Sequence, residues 1–375
     1  MPVFILSLSF AGCTESQSER SQANAVEKTD SIALSLSKVD SIGIELGDSN
    51  YVFGNIIDAD FMPDGRILLL DVRQDRISVF SQEGEFLTSF GREGSGPGEF
   101  MEPASVAVLS NGDICIADFI LQKLVLFDQE FHYIREITGF SMQSPSSIQH
   151  GIDGSVIGFQ MHSYIENDGY MVGNRIARWA HSSTPDLEYV SGYIPYNGER
   201  ALALPQFLFT VGSDNCLYVT EPSQEQYRIT KLAAEGDTLF TIHEPYSQMI
   251  RTEEEISSFH FGYLLDTPGF DSHDRRQIRN GWEIDPVRNA ISSIHVDGSN
   301  RLWVETGRGE QASPQFEVYN ESGDHICTYV TNLPPGMRCE SWKYVFGNDR
   351  VLVFDTNPED YSHVLIYRIE ERICI

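Results

Sequence analysis

Short apolar runs of four or five residues recur along the chain, each entered through a turn carrying Asp, Asn or Gly and often closed by an acid. Six copies stand at 64–71, 111–118, 153–160, 214–221, 297–305 and 348–355. β-branched and aromatic residues bounded by turn formers predict strands. Strand-like segments flank the copies: 56–61 before the first, then 76–80, 123–127, 175–179, 227–232, 315–319 and 363–369 after the successive copies. A fourth segment closes most units, as at 86–90 and 133–137. Four short antiparallel strands repeated radially make a propeller blade. The pattern therefore predicts an all-β, six-bladed β-propeller of four-stranded antiparallel blades over residues 31–375. The sixth unit lacks its outer strand. Residues 31–36 or 42–46, both strand-like, are expected to supply it and so remove two sheet edges.

The ends change the picture. Residues 1–12 form an apolar run too short to span a bilayer as a helix, and Cys13 follows. Such a run fits the apolar region of a secretory signal. Phe10-Ala11-Gly12-Cys13 resembles a bacterial lipobox, which implies a diacylated Cys13 as the mature N-terminus; Phe10 stands where that pattern usually has Leu. The alternative is an uncleaved or simply secreted N-terminus. Residues 14–30 are polar, the composition of a flexible tether. These features place the protein in the cell envelope, in the outer membrane or periplasm, or secreted, with membrane contact only through the lipid.

The formal charge of −29 repels nucleic acid, whose binding rests on Lys and Arg neutralising phosphates. After Cys13 five cysteines remain, an odd number that leaves at least one thiol free or paired between chains. Cys115 and Cys216 fall in apolar strand patterns. Cys327 and Cys339 flank a turn-rich stretch and are the one pair considered, with geometry deciding it.

The segment Phe90-Gly91-Arg92-Glu93-Gly94-Ser95-Gly96-Pro97-Gly98-Glu99-Phe100, with Pro103 after it, resembles the link between NHL repeats. The match is specific in the first two units and weaker in the other four, where the Gly-Pro-Gly link is missing. With the lipobox, the whole resembles six-bladed propeller lipoproteins of Bacteroidota-like bacteria. The resemblance implies fold and location rather than an activity. Gly94, Gly96 and Gly98 are expected to take positive φ so that the chain turns sharply between blades. A phosphate cradle would need a following helix, and a strand follows instead.

The resemblance also implies a ligand site on the face carrying the loops between second and third strands, at the mouth of the channel. Loops 161–173, 192–205 and 244–289 are enlarged there, and long ordered loops on a rigid scaffold are usually functional. Thr252 three residues before Glu255 is a helix-start pattern, so a short helix is expected within the longest insertion. His162, His260, Arg275 and Arg276 are the loop-face candidates for contact with a small molecule, glycan or protein. Asp71, Asp118, Glu221 and Asp355 close second strands and could form a ring of oxygens for Ca²⁺. The preferred reading is that each acid braces its adjacent turn. Neither an H-E-x-x-H nor a G-x-S-x-G pattern occurs.

The expected function is an envelope-anchored ligand- or protein-binding module of unspecified activity, with Ca²⁺ the one cofactor considered. The rivals are a metal-dependent hydrolase or lyase with its site at the channel mouth, and a purely structural interaction platform.

Overall fold

The computed structural model describes residues 31–167, 169–196, 204–253, 256, 285–310, 313–331, 342–358 and 360–374. Strand β1 (Ser31–Ile42) opens the chain. Blade 1 follows with β2 (Ile56–Phe61), β3 (Ile67–Asp71), β4 (Arg76–Phe80) and β5 (Phe86–Phe90). Blade 2 has β6 (Pro103–Val108), β7 (Ile114–Asp118), β8 (Lys123–Phe127) and β9 (Tyr133–Ile137). Blade 3 has β10 (Ser146–His150), β11 (Val156–Glu166), β12 (Gly169–Trp179) and β13 (Leu187–Pro195). Blade 4 has β14 (Leu208–Val211), β15 (Leu217–Thr220), β16 (Tyr227–Leu232) and β17 (Thr238–Glu244). Blade 5 has β18 (Ile291–Val296), β19 (Leu302–Glu310), β20 (Ser313–Tyr319) and β21 (His325–Val330). Blade 6 has β22 (Trp342–Phe346), β23 (Arg350–Asp355), β24 (Val364–Cys374) and, as its outer strand, β1. The fold is thus an all-β six-bladed propeller of four-stranded antiparallel sheets.

Packing explains the sequence pattern. Every residue of β3, β7 and β8 is buried, because the middle strands of a blade are covered on both faces by neighbouring blades. The outer strand β5 alternates half-buried and exposed residues, as expected where one face meets water. The core is six apolar clusters, each straddling two adjacent blades and together closing the ring. Fully burying one Leu or Ile in such a cluster is worth roughly 1.5–3 kcal/mol.

The turn signal has a direct cause. Gly65 and Gly112 take φ of 88° and 84°, and Asn215 and Asn300 take φ of 60° and 55° at the corresponding turns. Asp64 and Asp214 accept the amides of Arg66 and Cys216 two residues on. In the link after β5, Gly94 and Gly98 have positive φ but Gly96 does not. At Gly96 the lack of a side chain instead lets the Glu99 carboxylate close on the backbone. The Gly96 amide donates to Glu99 Oε2 at 2.8 Å, and a Cβ there would lie 2.9 Å from the same oxygen.

Ring closure uses the first of the two expected segments. β1 pairs antiparallel with β24 from Ser31↔Cys374 to Ile42↔Val364. Beyond Ile42 the chain leaves the sheet, and Leu46 is 84% exposed. The expected loop 161–173 is a correction: β11 and β12 continue as a hairpin, paired from Val156↔Trp179 to Glu166↔Gly169. Alternation of side chains outlasts the blade there, so a long strand replaces a loop. In the longest insertion the two ends meet, with an isolated bridge Ile250↔Val287; the expected helix falls outside the described residues apart from its first turn, where the Ile256 amide donates to Thr252 O at 3.0 Å. Cys115, Cys216 and Cys327 are free thiols, while Cys339 lies outside the described residues. No helix among the described residues is long and apolar enough to cross a membrane.

Candidate binding channel

The first strands of the blades, β2, β6, β10, β14, β18 and β22, stand around the propeller axis. Each is the inner edge of its sheet, so its outward backbone groups lack a ladder partner and need polar side chains or water. The sequence answers with polar residues at alternate positions, and these bond to the next blade.

Asp58 on β2 accepts Ser105 Oγ at 2.6 Å and the Val106 amide at 3.0 Å through Oδ2. Its Oδ1 meets Lys343 Nζ from blade 6 at 2.7 Å. Ser105 Oγ in turn accepts the Ile148 amide of blade 3 at 3.1 Å. Gln149 spans to blade 4, donating to Phe209 O and accepting the Val211 amide, and His150 reaches Gly212 O at 3.1 Å. Ser213 donates to Asn300 of blade 5, and the Gly298 amide to Gly347 O of blade 6. Polar contacts therefore run round the whole ring.

Inside this belt lies a cavity of about 970 Å³. It is walled by the inner strands and reaches the turns between first and second strands, where Pro63, Ser213, Gly298 and Asn348 form an exposed rim on the face opposite the expected loops between second and third strands. Charged and aromatic groups of three blades meet there. Asp60 accepts the Val108 amide at 2.7 Å and the Phe61 amide at 2.7 Å, and among the described residues it has no ion pair. Burial, with a lesser push from Asp58, raises its carboxyl to about 7. His295 Nε2 lies 3.0 Å from Ser293 Oγ, and that hydroxyl donates to Glu305 Oε2 at 2.7 Å. The hydroxyl has one proton, already given to Glu305, so His295 must donate from Nε2. Burial and the nearby Lys343 depress this imidazole to about 3, so it is neutral at pH 7. Its ring stacks on Phe346 with centroids 5.2 Å apart. None of Asp58, Asp60, His295 or Lys343 stood out in the sequence pattern. The available signal was polar residues interrupting the apolar pattern of the first strands.

The acids closing the second strands behave as turn braces. Asp71 is fully buried and accepts the amides of Gly54 at 2.8 Å, Asn55 at 3.0 Å and Arg73 at 3.2 Å. Asp118, also fully buried, accepts Met101 at 2.7 Å and Leu121 at 2.8 Å. Asp355 accepts the Asn357 amide at 2.8 Å. Glu221 is exposed, and the buried Thr220 closes that strand by donating to Arg228 O at 2.7 Å. Each of these groups serves its own blade. Among the described residues no three of His, Cys, Asp and Glu converge as metal ligands.

His162 lies on the long hairpin of blade 3, away from the cavity lining. Its ring faces Tyr164 and Tyr193 at 6.3 and 6.2 Å, and burial depresses its pKa. Below it Arg175 bonds Gln160 Oε1 at 2.7 Å and Glu188 at 3.3 Å. His260, Arg275, Arg276 and Cys13 lie outside the described residues.

Comparison with known proteins agrees with this architecture. A family model described as a 6-bladed beta-propeller, DUF5128, matches residues 17–173, less than half of the chain. No curated protein matches the sequence. Among solved structures, a Bacteroides fragilis protein named for its expected export is similar at a TM-score of 0.50 and 15% identity, over 90% of this chain and 95% of that one. A Bacteroides vulgatus member of the DUF4221 family has a TM-score of 0.48 and 10% identity, covering 92% and 100%. Virginiamycin B lyase from Staphylococcus aureus has a TM-score of 0.44 and 12% identity, covering 90% and 99%. At 15% identity the likeness to the Bacteroides fragilis protein is one of fold alone, and the family model agrees with the six-bladed β-propeller described above.

Proposed function

We propose that this protein is a ligand-binding propeller whose site is the central channel. The observation carrying the proposal is the open cavity of about 970 Å³ whose two inner carboxylates are already held by protein donors. Asp58 has both oxygens engaged by Lys343, Ser105 and backbone amides, which suits a wall that positions a guest better than a nucleophile or base. The size lies within the range of small-molecule sites. The finer reading places the module in the cell envelope, with an NHL-like link after blade 1 and a lipid on Cys13. β1 starts at the face bearing the turns between first and second strands, so the tether from such a lipid would join the propeller at the face of the channel rim.

The test is thermal unfolding of the full chain against a fragment set containing cations, anions and neutral molecules, beside the channel-filling variant Val345→Trp. Val345 is half-buried on the cavity wall. Fragments that raise the wild-type Tm and lose that effect in the variant support the channel. No stabilising fragment, or fragments indifferent to Val345→Trp, would overturn it.

A further inference from the structure

We infer that the channel takes a monocationic organic ammonium, its nitrogen against Asp60 and its carbon skeleton against Phe61 and Phe346. This rests on the channel being the binding site. The charges on the wall decide the sign of the guest. Asp58 and Lys343 form a 2.7 Å pair and cancel. Asp297, buried near the rim, is paired with Arg301 at 2.7 Å. Arg350 donates to Gln82 O at the rim, beside the exposed Asp349. His295 is neutral. Asp60 has no ion pair among the described residues, and Lys343, the cation that acts on it, is already paired with Asp58, so Asp60 is the inner carboxylate left for a guest cation.

The donors around Asp60 are two backbone amides, which leaves each carboxylate oxygen a further lone pair for an ammonium N–H. A hard metal ion asks for six to eight oxygens, and the described residues present no such cluster. The half-buried rings of Phe61 and Phe346 line the same end of the cavity. His295 covers the face of Phe346, so what the two rings offer a guest is apolar edge against which its hydrocarbon packs. The chain's net charge of −29 raises the local concentration of cations at the mouth.

Protonation supplies an internal control. The charged groups that act on Asp60 are Asp58 on β2 and Lys343 on β22, and His150, His295, Asp297, Asp349 and Arg350 line the same cavity. Asp60 changes charge near 7, whereas burial keeps both histidines below their ordinary range. Losing the carboxylate charge between pH 8 and pH 5 should therefore weaken a cation and leave a neutral guest alone.

Calorimetric titration of the full chain at about 0.15 M salt, where surface charge is largely screened, tests this with phenethylammonium and the neutral phenethyl alcohol. The expected result is one site, with the ammonium at least about tenfold tighter than the alcohol at pH 8 and at least about tenfold weaker at pH 5 than at pH 8. Asp60→Asn should reduce the ammonium to the alcohol's affinity, and the exposed-turn control Glu235→Gln should change nothing. The pH comparison uses the wild type, so it decides the matter even if Asp60→Asn folds poorly. Equal binding of both probes, no ammonium binding, or indifference to Asp60→Asn would overturn the inference. If phenylacetate or the alcohol binds and the ammonium does not, the ligand class falls and the channel reading stands. If none of the three binds and no fragment stabilises the fold, both fall.

Discussion

Replacing Asp71 by Ala removes the acceptor of three amides at once and measures how much a turn brace is worth. The Asn55 amide belongs to a buried residue, and leaving such a donor unpaired costs about 1–3 kcal/mol. Gly54 and Arg73 are exposed, so water replaces much of what Asp71 gave them, and each adds about 0.5–1 kcal/mol. The sum is about 3 kcal/mol. For a domain of this length that corresponds to a fall in Tm of about 4 °C. Urea unfolding followed by tryptophan fluorescence, with EDTA and again with millimolar Ca²⁺, is the assay. Asp71→Asn, which keeps one acceptor oxygen, should lose about half as much. A loss below about 1 kcal/mol would refute the brace. So would a wild-type Tm that rises with Ca²⁺ when the variant's does not, and that result would return Asp71 to a metal-binding role.

Two half-buried groups on the channel wall should shape stability against pH in opposite senses. His295 is depressed to about 3, so the folded state binds fewer protons than the unfolded chain between about 3 and 6.5 and stability falls as pH drops through that window. Asp60 is raised to about 7, so the folded state holds a proton that the unfolded chain has released above about 4, and stability falls as pH climbs from about 4 to 7. Tm measured from pH 4 to 7 should rise more steeply with pH in Asp60→Asn than in wild type, and should fall across the same range in His295→Phe; parallel curves for all three would contradict the assignment. Deleting residues 1–42 strips β24 of its partner and removes the buried Leu34 and Ile42, so the product should aggregate or melt at least about 10 °C lower, and an unchanged Tm would refute closure by β1. Cys115 is fully buried, with its thiol pushed up to about 12, so a thiol reagent should label it only after unfolding; fast labelling of the native protein would place it elsewhere.

The repeat determined the blades because its information is local. Apolar runs such as Ile67–Asp71 and Ile114–Asp118 pair with strands only a turn away, and Gly65 and Gly112 before them, like Asn215 and Asn300 in later blades, supply the positive φ their turns need. The alternating β5 was equally legible, since its two faces meet different surroundings. The candidate channel was not legible, for two physical reasons. Asp58, Asp60, His295 and Lys343 come from three blades and meet only when the ring closes, a condition that no local period records. Irregular pairing between Ile56 and Asp58, Pro103 and Ser105, and Ile291 and Ser293 also shifts which residues face inward, so alternation read from the flanking sequence loses its phase at the inner strands. The composition could say that the chain folds as a propeller with a donated strand. Only the closed tertiary structure could decide that Asp60, which has no ion pair among the described residues, stands on the channel wall beside the Asp58–Lys343 pair.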